Sequence, residues 1–430
     1  MRFPRICLDD RLAKYLQQFE HCFSQPQYRH FVTMLLGLLL CQGSHTLSGV
    51  LRQVTGQTSL AALSRFLSEA PWSIEGVGEC LAAVFRSEMA AAVRAERVVP
   101  AQQRRGRRGR RRQAVVTGYL IGDDSVTTKP RGRAMGGLGQ HYSTSAQKSV
   151  DGHCLVQALY VLLGRQWVLE PQMYVQRAVC AAEGTPFRSK VDIMVQTIQT
   201  FVPLPDTTTH VLLDSWYTAK RVWQAARQRG FLITSGLRSN RLVHVVDPTS
   251  PQGWSWQRVD AYAQQLTAAD FQPVAWPGSG RTLYIHTITT RVRKLYRCQV
   301  VVVRDPLRNQ TRFWASSDLN ADAPALVAHI AQRWAIEVLF ADVKELLGLD
   351  HYQLMSAQAI RRFWLLALIA YSFLEREREH LRLDQNRHVT IGEAARYTQR
   401  RHWERCLSWL QEQIAVHHVP VSDLQALLLP

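Results

Sequence analysis

The chain has 430 residues, a formal net charge of +18, 46% hydrophobic residues and twelve tryptophans. That apolar content excludes a disordered chain and is enough for two to four domains. Excess cationic charge interleaved with aromatics suits a nucleic-acid partner better than a membrane surface.

The eight cysteines form no C-x-x-C pair and no Cys/His cluster at zinc spacing. They read as reduced, mostly buried thiols of a cytosolic protein. The first ten residues lack the apolar stretch of a signal peptide. The apolar runs at 31–41 and 363–374 are too short to span a bilayer and are expected as core helices.

From the N-terminus, helical apolar spacing covers 12–23, 28–41, 59–67 and 74–97. Residues 1–103 are therefore expected as a helical domain, either DNA-binding or a scaffold. Seven arginines then fall within the nine residues 104–112. Such a run repels itself and cannot be buried, so 104–113 reads as an extended linker able to lie along phosphates.

A β-branched run at 114–125 carries Asp123 and Asp124 at what reads as the C-terminal edge of a buried strand. A flexible basic loop follows, with Lys129 and Arg131. Its glycines precede no Lys-Ser/Thr and make no phosphate-binding P-loop. Strands are expected at 153–163 and 166–169, and a helix at 189–201. The run 210–214 is a strand ending in Asp214 and passing into Ser215-Trp216-Tyr217. Another strand at 231–235 leads to a second basic loop with Arg238, Asn240 and Arg241. Prolines punctuate 238–302, which reads as a β-rich insertion. Trp254, Trp256 and Trp276 are expected to fill its small core. His141 and His153 are expected in loop and sheet, within reach of the acids.

Residues 333–348 read as a helix with Gly348 as its C-terminal cap. At about 100° per residue, Glu337 falls about 40° and Lys344 about 20° from Arg333, on a stripe shared with the apolar face. A carboxylate at such an edge needs a cation or a metal beside it. Segments 114–237 and 303–382 would form one catalytic core, and 383–430 a C-terminal helical region.

Asp123, Asp214 and Glu337 are far apart in sequence, so only a fold can unite them. An open α/β sheet places its sites at the carboxyl ends of strands. Three hard oxygen donors without His or Cys suit Mg²⁺ or Mn²⁺. Two such ions, about 4 Å apart, activate water and stabilise the leaving oxygen in phosphodiester cleavage. The two basic loops, with Lys129, Arg131, Arg238, Asn240 and Arg241, are expected to hold the DNA phosphates on either side.

The pieces Gly122-Asp123-Asp124-Ser125, Leu213-Asp214-Ser215-Trp216-Tyr217, Arg238-Ser239-Asn240-Arg241 and Arg333-Trp334-x-Ile336-Glu337…Lys344 resemble a DDE transposase of a bacterial insertion sequence. The resemblance spans about 120–365. Arg333, Glu337 and Lys344 match the spacing of the family's Y-R-E-K-type signature, whose tyrosine position holds Ile330. It implies an α/β fold: an RNase H-like mixed sheet flanked by helices, with an N-terminal helical domain and a β-rich insertion. It implies a two-metal site at Asp123, Asp214 and Glu337, Asp124 being the alternative first ligand. Water would cut at the transposon ends and the freed 3′-hydroxyls would attack target DNA. Arg333 and Lys344 would grip phosphate, and a homodimer would act on paired ends at the nucleoid in the cytoplasm. The insertion's tryptophans would then be able to stack on an unpaired base. The alternatives are an RNase H-like nuclease without strand transfer and a non-catalytic, domesticated DNA-binding protein.

Overall fold

The computed structural model describes residues 3–4, 8–55, 58–97, 116–143 and 146–428. The Arg-rich segment lies outside the described residues.

Five helices come first: α1 (Asp10–Gln17), α2 (Gln25–Leu40), α3 (Leu47–Leu51), α4 (Leu60–Ser68) and α5 (Ile74–Arg97). The helix expected at 12–23 is α1 followed by a separate 3₁₀ turn, Glu20–Cys22. Ser24 and Gln27 form a capping box that starts α2, with a proline in its first turn. From Phe31 to Leu40 every residue of α2 is buried, so this part of the helix is enclosed on all sides. A short parallel pair joins β1 (Phe3–Pro4) to β2 (Val54–Thr55).

The central strands are β3 (Val116–Thr128), β4 (Gly139–Ser143), β5 (Lys148–Leu162), β6 (Arg165–Val168) and β7 (Gln172–Tyr174). After α6 (Arg177–Glu183) and α7 (Lys190–Thr200) come β8 (Thr207–Leu213), α8 (Lys220–Gln228) and β9 (Leu232–Leu237). The next segment holds β10 (Leu242–Val246), β11 (Trp254–Arg258), α9 (Val259–Gln265), β12 (Gln272–Ala275), β13 (Thr282–Arg291), β14 (Arg297–Asp305) and β15 (Gln310–Ser316). The chain ends in α10 (Ala323–Gln332), α11 (Trp334–Leu347), α12 (Ala357–Gln385), α13 (Ile391–Ala415) and α14 (Val421–Leu428).

One eleven-stranded mixed sheet dominates, in the order β12-β13-β14-β15-β9-β8-β3-β5-β4, with β6 and β7 also on β5. The pairs β3–β8 and β8–β9 are parallel and the others antiparallel. Strands β12, β13 and β14 thus continue the same sheet, while β10 and β11 form a separate ribbon. Trp254 and Trp256 do not fill a core there. They are 39% and 41% exposed, packed against His244 on the ribbon. Trp276 is partly buried against a small core under α10.

Helix α12 is the axis of the main core. It is buried from Phe363 to Leu374, between the N-terminal helices and the sheet. Its Arg362 is buried too, donating to the Leu67 and Trp72 carbonyls with its guanidinium 4.3 Å from the Trp72 ring. One apolar cluster runs from Leu12 through the sheet to Cys406, so the N-terminal helices and the sheet are built on shared packing. No helix among the described residues is long and apolar enough to cross a membrane.

Candidate active site

Strand β3 does not stop at its acids. Ser125 to Thr128 continue it, paired to β5 as far as Gly152. Asp123 and Asp124 therefore sit inside a strand, where successive side chains point to opposite faces. The expectation that they end the strand fails because the β-branched Val126, Thr127 and Thr128 extend the ladder.

On one face, Asp123 stands beside the end of β8. The parallel register pairs Gly122 with Leu213, which makes Asp123 the neighbour of Asp214. Asp214 is the cap of the turn Ser215–Tyr217, and its Oδ1 accepts from the Trp216 and Tyr217 amides at 2.9 and 3.3 Å. Gly236 lets β9 pass close under this turn, since a Cβ there would lie 2.8 Å from the Ser215 nitrogen.

The third acid arrives on α11. Arg333 is the joint between α10 and α11, closing one helix and starting the next. Its Nη1 donates to Asp123 Oδ2 at 3.2 Å and its Nη2 to Glu337 Oε1. One guanidinium thus links β3 to α11. Gly348 ends α11 in the left-handed region at φ 57, as its position in the sequence implies. Ile330 of α10 is buried in the small core that this helix covers.

Burial and the nearby Asp214 charge push the Asp123 carboxyl up to about 7, against the opposing pull of Arg333. Burial also raises Asp214, and on its side the added push comes from the Asp124 charge. Two half-sheltered acids side by side hold their charges at a cost, which an added cation relieves. The three carboxylates do not meet at one point, because the Arg333 guanidinium lies between Asp123 and Glu337.

Asp124 faces the other way into a satisfied network. It pairs with Lys190 of α7 at 2.6 Å, accepts from the Tyr217 hydroxyl at 2.9 Å and lies 3.6 Å from the Cys154 sulfur. His141 is buried near it, held neutral down to about pH 4 by burial and Lys190. His153 is a buried sheet residue bonded to the Tyr352 hydroxyl at 2.8 Å.

The sequence-derived cations divide into two groups. Lys344 Nζ donates to Ser125 Oγ at 2.7 Å and to the Val126 carbonyl at 3.1 Å, fastening α11 to β3. Lys129 Nζ donates to the Asp350 and Tyr352 carbonyls and sits 3.6 Å from the Tyr352 ring. Both are drawn inward rather than offered to a phosphate. Arg131 is exposed on its loop, away from such partners.

Arg238, Asn240 and Arg241 line an open pocket of about 530 Å³ with Ser215, Trp216, Thr218, Leu242, Arg293 and Lys294. Four cations and no acid line it. Arg241 has its charge penalised by burial and by Arg238 beside it. A second pocket, of about 300 Å³, holds Asp214 and Arg333 and shares Ser215 with the first. Arg293 and Lys294 are on the β13–β14 turn and were hidden in the sequence among many other cations. Trp216, 55% exposed, lies under Arg238 at 5.1 Å and Lys190 at 5.8 Å.

A family model described as DDE superfamily endonuclease matches residues 18–291, more than half of the chain. That span includes Asp123 and Asp214 and stops before Glu337. No curated protein matches the chain. Among solved structures, the cryo-EM structure of a piggyBac transposase synaptic complex with hairpin DNA is similar with a TM-score of 0.42 and 10% sequence identity. The match covers 98% of this chain and 81% of that one.

Proposed function

The chain belongs to the DDE superfamily of endonucleases, and from that premise we propose that it is a transposase of a bacterial insertion sequence. It cuts DNA at the element's ends and joins the freed 3′-hydroxyls to target DNA. The observation that carries this reading is the register that sets Asp123 beside Asp214, with Arg333 joining Asp123 to Glu337. The strand pattern supports an RNase H-like core: β5 antiparallel to β3, β3 parallel to β8, and β8 parallel to β9.

Members of this family use divalent metal. The residues here fit such an ion: the donors are hard carboxylate oxygens, Asp123 is crowded by Asp214, and a cation already stands between two of them. Asp123, Asp214 and Glu337 would hold Mg²⁺ or Mn²⁺, two ions in this reading. When bound, these activate the attacking water or hydroxyl and stabilise the leaving oxygen.

The chain's own groups do the rest. The Trp216 and Tyr217 amides fix the orientation of Asp214. Lys344 holds α11, and with it Glu337, against β3. Arg238, Asn240 and Arg241 hold phosphates of the DNA backbone in the open pocket, and Arg131 reaches phosphate from its loop. Arg333, Lys344 and Lys129 reach phosphate only by exchanging their present partners for it. Exposed Trp254 and Trp256 offer flat surfaces to an unpaired base. Two copies act on paired ends, in the cytoplasm at the nucleoid.

The test is excision of a marker flanked by the element's native ends, with the protein supplied in trans. Wild type excises and Asp214→Asn, at matched expression, does not. Equal excision by both removes Asp214 from the site. Divalent-dependent nicking of end DNA without joining leaves a nuclease. DNA binding without nicking leaves a domesticated binder.

A further inference from the structure

The 3₁₀ turn Glu20–Cys22 and the helix α5 bring the adjacent His21 and Cys22 together with Cys80, which is distant in sequence. Their ligand atoms all lie within 4.8 Å of one another, and among the described residues no other group of three or more His, Cys, Asp or Glu does so. The absence of a zinc-type spacing in the sequence is real, because Cys80 comes from a different helix. The fold makes the cluster.

We propose that His21, Cys22 and Cys80 form a metal site for Zn²⁺ or another borderline-soft divalent ion, separate from the three acids. The donor set selects the ion. Two sulfurs and an imidazole suit zinc and do not suit Mg²⁺. The geometry is close to what zinc needs. Zn–S of about 2.3 Å and Zn–N of about 2.0 Å at a tetrahedral angle place N and S about 3.5 Å apart. His21 Nε2 and Cys22 Sγ are 3.7 Å apart.

Access is graded. Cys80 is buried, Cys22 half-buried and His21 exposed. An ion can therefore enter from solvent and keep a water as its fourth ligand. Without metal the thiols hydrogen-bond each other, and Cys80 lies 3.2 Å from the Gln18 carbonyl and Cys22 3.9 Å from that of Gly76. Burial pushes the Cys80 thiol up to about 12, so the unliganded pair is protonated and slow to oxidise. Metal binding releases two thiol protons to solvent and leaves both sulfurs as thiolates. The bound ion staples the turn between α1 and α2 to α5, the helix that leads into the Arg-rich segment.

The experiment uses the full-length protein, without a polyhistidine tag, grown with zinc and purified without chelator. Elemental analysis is expected to give one zinc per chain. Replacing it with Co²⁺ gives a thiolate-to-metal charge-transfer band in the near ultraviolet, which Cys22→Ser weakens. His21→Ala, at an exposed position that does not threaten folding, weakens zinc binding by about 10-fold or more, the least that loss of even an outer-shell partner costs. Cleavage in excess Mg²⁺ is unchanged in that variant. Absence of stoichiometric zinc with both thiols reduced overturns the proposal. So does an intact mass lower by two hydrogens with Cys22 and Cys80 cross-linked, or a His21→Ala variant that binds zinc as wild type does. None of these outcomes depends on whether the three acids cut DNA.

Discussion

Asp123 and Asp124 are one peptide bond apart and occupy different chemical settings. Asp123 faces α10 and α11, crowded by Asp214 and answered by one shared guanidinium. Asp124 faces α7, with an ion pair and a phenol hydroxyl to satisfy it. The strand's two-residue period creates the difference, and the neighbours on each face decide its meaning. Asp123 is short of positive charge and Asp124 is not. An acid with an unmet need for a cation is suited to a metal, whereas a fully paired acid holds the fold.

The sharpest way to break this comparison is to neutralise each acid in turn. Asp123→Asn is expected to lower divalent-dependent nicking by about 10³-fold or more, about 4 kcal/mol of barrier. Its stability without metal should stay within about 1 kcal/mol of wild type, since losing the Arg333 pair offsets relief from Asp214. Asp124→Asn should do the reverse. It strands the largely buried Lys190 and costs about 2 kcal/mol of stability, while the folded protein still nicks. Nicking assays beside denaturant melts read both quantities. Loss of nicking in a fully stable Asp124→Asn protein would exchange the two roles.

A smaller effect sharpens the role of Arg333. If its guanidinium stands where a metal's charge would stand, Arg333→Ala leaves Asp123 and Glu337 uncompensated only when metal is absent. Melts in chelator should show a loss of about 1 kcal/mol, allowing for the partial exposure of Glu337. With Mn²⁺ the loss should shrink. The same loss in both conditions would make Arg333 a structural link alone. The basic pocket is the counterpart of the acids, and its charges should matter only to DNA. Arg293→Ala with Lys294→Ala should weaken duplex binding and flatten the log–log salt slope by nearly two, at about 0.9 per phosphate released. Chelator-sensitive melting should be unaffected.

Much of this site is legible in the chain, and the physical reasons for the rest are specific. The acid after 210–213 and the helix with Gly348 at its end stand out because apolar periodicity and a cap mark them. The side of β3 chosen by Asp123 follows once the strand is recognised, yet its extension to Thr128 is masked by the polar threonines and the following Lys-Pro. Arg333 stands out in the sequence by its spacing to Glu337, but only the break between α10 and α11 shows that it is a joint. Lys344 and Lys129 look free because a sequence does not show which carbonyls lie within reach. The β12–β14 continuation of the sheet depends on pairing between β15 and β9, a contact between segments about 80 residues apart. The Cys/His cluster is a long-range contact of the same kind.

The face that carries Asp123 and Asp214 has a second layer, where the expected effect is smallest in activity and clearest in pH. Four residues before Asp214, His210 is buried, with its Nε2 2.8 Å from the Thr234 hydroxyl and its ring 4.3 Å from that of His329 on α10. Tyr119, four residues before Asp123, hydrogen-bonds to His329 at 3.2 Å. Burial, reinforced by His329, pulls His210 down to about 3, so it stays neutral while the unfolded chain takes up a proton near pH 6.5. Between these values the unfolded state binds more protons, and stability falls as pH is lowered. The contribution of His210 is fully present above about 6.5 and declines by about 1.4 kcal/mol per pH unit below it. His210→Gln keeps an amide donor for Thr234 and removes the titration. Melts between pH 7 and pH 5 should show a shallower acid loss in the variant, by about 1 kcal/mol per unit. An unchanged slope would mean that His210 is protonated or exposed in solution, and that α10 does not seal this face. The placement of Arg333 between Asp123 and Glu337 would then lose its support, because α10 is what brings it there.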